Sequence, residues 1–136
     1  MKHAKKLVAM ILCLVLALGL GLGAYADYEE IFYPKPKWSY VSAVSGGIDN
    51  GTVGGSIILY NSAHYTTIDV TVQKFNSGWE DTSIVASAAG YKGASASKPV
   101  SLSTGLYRAK IVFRVYTTKG GAYLEGDTLY TGEYRF

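Results

Sequence analysis

The chain has 136 residues, a formal net charge of +3, 49% hydrophobic composition and one cysteine. Its positive balance is confined to the first 26 residues, which hold three of the thirteen Lys and Arg and none of the ten Asp and Glu. The remainder is formally neutral and free of cysteine. That excludes a disulfide framework and provides no whole-domain field for nucleic acid or an anionic membrane.

Residues 1–26 read as a secretory signal peptide. Lys2, Lys5 and Lys6 form the positive head, and the uncharged run Leu7 to Ala24 follows. Ala24-Tyr25-Ala26 offers the small-x-small pattern that a signal peptidase accepts, so cleavage is expected after Ala26. The run is only 18 residues long and carries Gly19, Gly21 and Gly23, which disfavours a retained membrane anchor. Cys13 lies within this run without a small residue before it and reads as an ordinary apolar position. The expected location is secreted, with membrane contact only through the signal peptide before its removal.

Residues 27–37 form an extended lead-in, because Pro34 and Pro36 fix φ and push their predecessors away from helix. Residues 38–136 then read as strand and turn throughout. Trp38 to Val44 and Ser56 to Asn61 are early strands, joined by a loop from Ser45 to Gly55 that holds five glycines and Asp49-Asn50-Gly51. In Thr67 to Phe75, Ile68, Val70 and Val72 alternate with Asp69, Thr71 and Gln73. Asn76-Ser77-Gly78 turns that strand into a partner at Trp79 to Ala88.

Gly90 to Lys98 is small and polar and reads as a loop, leading to a short strand near Val100. The strongest strand is Leu106 to Thr117. Tyr107, Ala109, Ile111, Phe113 and Val115 share one face, while Arg108, Lys110 and Arg114 share the other. Lys119-Gly120-Gly121 turns it into the last segment, Ala122 to Tyr134, whose alternation is poor and which is a candidate exposed edge for strand addition. The sum is an all-β domain: an antiparallel two-sheet β-sandwich of about seven strands.

Val70-Thr71-Val72-Gln73-Lys74, Gly78-Trp79 and Gly105-Leu106-Tyr107-Arg108, with Gly120-Gly121, Glu125, Thr128 and Tyr130-Thr131, carry a resemblance. On these residues the chain resembles small signal-peptide-bearing secreted proteins of Clostridia and related Gram-positive bacteria, a family of domains of unknown function. The resemblance implies a compact β-sandwich and extracellular work for a Gram-positive cell. It transfers no functional residue. Around Trp38-Ser39-Tyr40 and Asn61 to Val72 the chain is more weakly similar to secreted β-sandwich bacteriocins of the lactococcin 972 type, without their dense histidine and asparagine.

The chemistry-bearing residues are sparse. His64 is the sole histidine after residue 26, so a Ser–His–acid triad would have to combine it with Ser62 and Asp69. No nucleophile-elbow pattern surrounds it, and its ordinary reading is an exposed turn residue. Glu125 and Asp127 share a strand face at a spacing permissive for glycoside hydrolysis, whereas Glu80 and Asp81 point to opposite faces. Asp49, Asn50, Glu125 and Asp127 lack the spacing of a calcium loop, so neither metal nor cofactor is expected.

What remains points to binding. Arg108, Lys110 and Arg114 form a basic stripe suited to an anionic wall polymer. Tyr accounts for eleven residues beyond the signal peptide, and Tyr60, Phe75 and Tyr116 lie opposite their strands' core positions, with Trp79 next to a turn. Exposed aromatic faces stack on sugars, although such residues also pack across strands. The expected function is that of a non-enzymatic module binding a cell-wall polymer, a glycan or a surface protein. The alternative is a bacteriocin-like antagonist of neighbouring cells.

Overall fold

The computed structural model describes residues 30–32, 38–49 and 51–136. The expected signal peptide, its cleavage site, the prolines of the lead-in and Asn50 lie outside the described residues.

Those residues form an antiparallel two-sheet β-sandwich and contain no helix. The strands are β1 (Glu30–Phe32), β2 (Val41–Ile48), β3 (Thr52–Leu59), β4 (Tyr65–Phe75), β5 (Trp79–Tyr91), β6 (Gly93–Pro99), β7 (Leu106–Tyr116), β8 (Tyr123–Tyr130) and β9 (Tyr134–Arg135). A four-stranded sheet has the order β1-β2-β3-β6, and a five-stranded sheet has β5-β4-β7-β8, with β9 continuing the β8 side of β7. The count exceeds the seven expected partly because two short strands, one inside the lead-in and one at the C-terminus, find partners in β2 and β7.

The core lies between the sheets. Val44, Ile48, Val53 and Ile57 meet Ile68, Val70, Ile111 and Phe113, all completely buried. These are the alternate positions that the period of two assigns to one face of each strand. Trp38 closes one end, with its ring set edge-on to Phe113 at 5.3 Å.

Two segments differ from the sequence reading. The glycines of Ser45 to Gly55 are not a loop: β2 and β3 run on through them, pairing Gly46 with Gly55 and Gly47 with Gly54, and where the strands meet the Asp49 N–H donates to the Thr52 carbonyl. They are small because the sheets approach closely here. A Cβ on Gly46 would lie 2.6 Å from Ile111 Cδ1, and one on Gly55 would lie 2.7 Å from the Ser45 carbonyl oxygen and 2.9 Å from Val70 Cγ2.

Gly90 to Lys98 is likewise strand rather than loop. β5 continues to Tyr91, and the chain turns a corner at Lys92, in the left-handed region with φ 69°. It then joins the other sheet as β6, with Ala94 and Ala96 facing the core and Gly93 set against the Ile57 carbonyl. Small side chains had masked a buried strand. Val100 itself is not in a strand; its N–H donates to the Gly51 carbonyl.

The turns at Asn76–Gly78 and Lys119–Gly121 form as expected. Ser77 and Gly120 adopt positive φ of 62° and 76°. β8 is an edge strand, but the last residue is fastened: Phe136 and Gly105 exchange two backbone hydrogen bonds of 2.8 and 2.9 Å.

Candidate functional site: the outer face of the five-stranded sheet

Alternation sends one set of side chains from β4, β5, β7 and β8 away from the core. Antiparallel register then arranges them in rows across the sheet. Phe75 stands opposite Trp79, Asp81 opposite Gln73 and Arg108, and Val85 opposite Thr71, Lys110 and Tyr130. The far row is tyrosine throughout: Tyr91, Tyr65, Tyr116 and Tyr123. At an interstrand spacing of about 4.8 Å that row spans roughly 14 Å.

Arg108 is the centre of the first group. Its guanidinium lies 4.5 Å from the Trp79 ring centroid and 4.2 Å from that of Tyr130, so it is held between two aromatic rings. Phe75 meets Trp79 edge-on at 5.4 Å and braces it. Arg108 Nε donates to Gln73 Oε1 at 2.7 Å, Gln73 Nε2 donates to Asp81 Oδ1 at 2.7 Å, and Lys110 Nζ donates to Asp81 Oδ2 at 2.6 Å. Gln73 is only 6% exposed, and both ends of its amide are satisfied. The Lys110 ammonium, followed by the Gln73 amide, holds the Asp81 carboxyl below the usual carboxylate range.

The opposite end is rimmed by the tyrosines. Tyr65 and Tyr91 meet edge-on at 5.0 Å, Tyr116 and Tyr123 at 6.0 Å, and the Lys119 N–H donates to the Tyr91 hydroxyl at 3.1 Å. A shallow hollow of about 290 Å³ opens between Arg114, Tyr123, Gly126 and Thr128, where β8 carries no side chain at Gly126. A second, of about 380 Å³, lies at the β4–β5 turn beside Phe75, Asn76 and Asp81.

Of the residues singled out from sequence, Arg108, Lys110, Arg114, Phe75, Trp79 and Tyr116 occupy this one face. Tyr60 does not. It follows β3 of the other sheet, is 63% exposed, and its N–H donates to the Tyr40 carbonyl. The basic stripe is also not uniform: Lys110 is paired with Asp81, whereas Arg114 is exposed and has no side-chain partner among the described residues. Sequence reasoning missed Gln73, Asp81 and Tyr130 as members of the group. The only signal for them was alternation within strands whose mutual order could not be read.

The other acids and the histidine have local duties. Glu125 accepts the backbone N–H groups of Ser39 and Tyr40 at 2.7 and 3.1 Å, and Asp127 accepts the Trp38 indole N–H at 2.9 Å. Both carboxylates thus hold the start of the domain against β8. Asp49 Oδ1 accepts from Gly51 and Thr52 and closes the β2–β3 turn. Asp69 accepts from Ser87 across the sheet.

His64 is half-buried rather than exposed as a turn residue. Its ring meets Tyr40 edge-on at 5.3 Å, and its buried Nδ1 has no hydrogen-bond partner among the described residues. Among the described residues no three His, Cys, Asp or Glu side chains group closely enough to hold a metal ion.

The chain matches no protein-family model, no curated protein and no solved structure.

Proposed function

We propose that this chain is an exported, non-enzymatic module that holds a polymer of the cell surface on the outer face of its five-stranded sheet. The observation that carries this reading is the gathering of Phe75, Trp79, Tyr130, Tyr91 and Tyr123 on one solvent-facing surface, with an open hollow beside Arg114 and Tyr123 and another at the β4–β5 turn. Phe75, Tyr130, Tyr91 and Tyr123 are each between 46% and 58% exposed. Aromatic surface kept in water on a sandwich with a complete core marks a place of contact. Sugar rings suit it, because their C–H faces stack on aromatic rings while their hydroxyls reach polar neighbours such as Thr128 and Arg114.

The test is co-sedimentation of the processed protein with Gram-positive cell walls, before and after teichoic acid is stripped, at low and high salt. Pelleting that Phe75→Ala combined with Tyr130→Ala abolishes supports the proposal. Wild-type protein that stays in the supernatant under every condition defeats it and leaves the soluble antagonist as the reading to pursue. Sequencing the N-terminus of the exported protein checks processing, with Asp27 as the expected first residue.

A further inference from the structure

We infer that Arg108 is the specificity residue of this face: a guanidinium fork that takes the oxyanion of an acidic sugar polymer while the flanking rings take the sugar. The inference rests on the surface-polymer reading above and adds the chemistry of the repeating unit.

Arg108 is immobilised on three sides. The guanidinium carbon lies over both the Trp79 and the Tyr130 rings, at 4.5 and 4.2 Å from their centroids, and Gln73 fixes Nε. Gln73 is itself held by Asp81, and Asp81 by Lys110, so the orientation passes back through a chain in which each donor has one acceptor. The terminal nitrogens Nη1 and Nη2 make no hydrogen bond among the described residues. Those nitrogens carry the paired N–H groups that meet a carboxylate or phosphate in two parallel hydrogen bonds. An arginine serving only as a packing element needs the stem and the ring contacts. It does not need a buried glutamine on Nε.

Charge selects the sign of the ligand. The carboxylate nearest Arg108 in this network, Asp81, is already neutralised by Lys110 at 2.6 Å, leaving Arg108 uncompensated, with Arg114 further along the same strand. The two arginines are six positions apart on one face of β7, so their side chains stand roughly 20 Å from each other. A polymer with repeating anionic units meets both; a single small anion meets one. Tyr130 is 46% exposed beside the fork and is placed to stack on the sugar that bears the oxyanion. The oxyanion is the carboxylate of a uronic acid or the phosphate of a sugar-phosphate chain, and the same fork geometry accepts either.

The experiment uses the protein purified from the host that processes it. Titration with an oligouronate, a phosphodiester-linked hexose oligomer and a neutral β-glucan oligomer of equal length is followed by tryptophan fluorescence, since Trp79 contacts the fork. Saturable binding of at least one anionic oligomer is expected, weakened about ten-fold or more in Arg108→Lys and in Arg108→Met. Lys98→Ala, which removes one charge from the other sheet, leaves it unchanged. Arg108→Lys keeps the charge, so its loss of binding isolates the planar fork from simple attraction, and an unchanged thermal midpoint in that variant shows that the fold persists. Binding of the uronate alone or of the phosphate alone identifies the source. Equal binding of the neutral oligomer, or anionic binding that survives Arg108→Lys, overturns the inference while leaving the surface-polymer reading intact. No binding of any oligomer or wall overturns both.

Discussion

The indole Nε1 of Trp38 donates to Oδ2 of Asp127 at 2.9 Å, joining the start of the domain to β8 across 89 positions. Glu125, two residues earlier on β8, accepts the N–H groups of Ser39 and Tyr40. A pair of acids that, in sequence, has the spacing of a hydrolytic site is thereby a clasp. Asp127→Ala removes the carboxylate that accepts the indole N–H and is expected to cost about 1–3 kcal/mol. Chemical denaturation with Trp38 emission as the probe measures this. A variant as stable as the wild type would show that the clasp contributes nothing.

Thr131 makes a similar contribution between β8 and β9. Its Oγ1 accepts the buried Ala109 N–H at 2.8 Å, and its own N–H donates to the Ala109 carbonyl at 3.0 Å. Thr131→Val keeps the shape and deletes the acceptor, which orphans a backbone N–H in the interior. The expected loss is about 1–3 kcal/mol, with faster amide exchange at Ala109 as the local signature.

Gly55→Ala and Gly78→Ala should diverge. A methyl on Gly55 meets the Ser45 carbonyl oxygen and Val70, neither of which can retreat without moving a sheet, so a destabilisation of about 1–3 kcal/mol is expected. A Cβ on Gly78 meets nothing within 4 Å, and that variant should melt at or slightly above the wild-type temperature. Thermal unfolding of the two variants side by side decides it.

Acid should loosen the network around Arg108. The Asp81 carboxyl is held below its unfolded value, so its contribution to stability is complete above the unfolded pKa of about 4 and is lost as pH falls through the lower folded value. Both Asp81 and Lys110 are partly exposed, so the pair contributes under about 1 kcal/mol and is screened by salt. Asp81→Asn should flatten the pH dependence of stability below about pH 4. The same slope in variant and wild type would show that other carboxylates account for it.

Much of this molecule follows from local pattern. The alternation in Leu106 to Thr117 and Thr67 to Phe75 identified β7 and β4, and the buried faces observed are the ones that alternation assigns. Gly, Asn and Ser mark the turns at Asn76–Gly78 and Lys119–Gly121, where Ser77 and Gly120 take positive φ. Local pattern failed where side chains were small. Gly46, Gly47, Gly54, Gly55 and the Gly-Ala-Ser run of β6 have the composition of loops, yet they form strands; at Gly46 and Gly55 the reason is close approach of the other sheet, where a Cβ would meet Ile111 and Val70.

The outer face of the five-stranded sheet divides the same way. That Arg108, Lys110 and Arg114 face away from the core was legible in β7 alone, because period-two alternation is a property of one strand. That Arg108 lies between Trp79 of β5 and Tyr130 of β8, and that Asp81 neutralises Lys110, depended on the order β5-β4-β7-β8. Strand order and register come from which faces can be buried together across the whole chain, and no local run of residues encodes them. The sequence by itself determined the strands and the faces they present. The tertiary structure decided which faces meet, and so which cation is neutralised and which remains available.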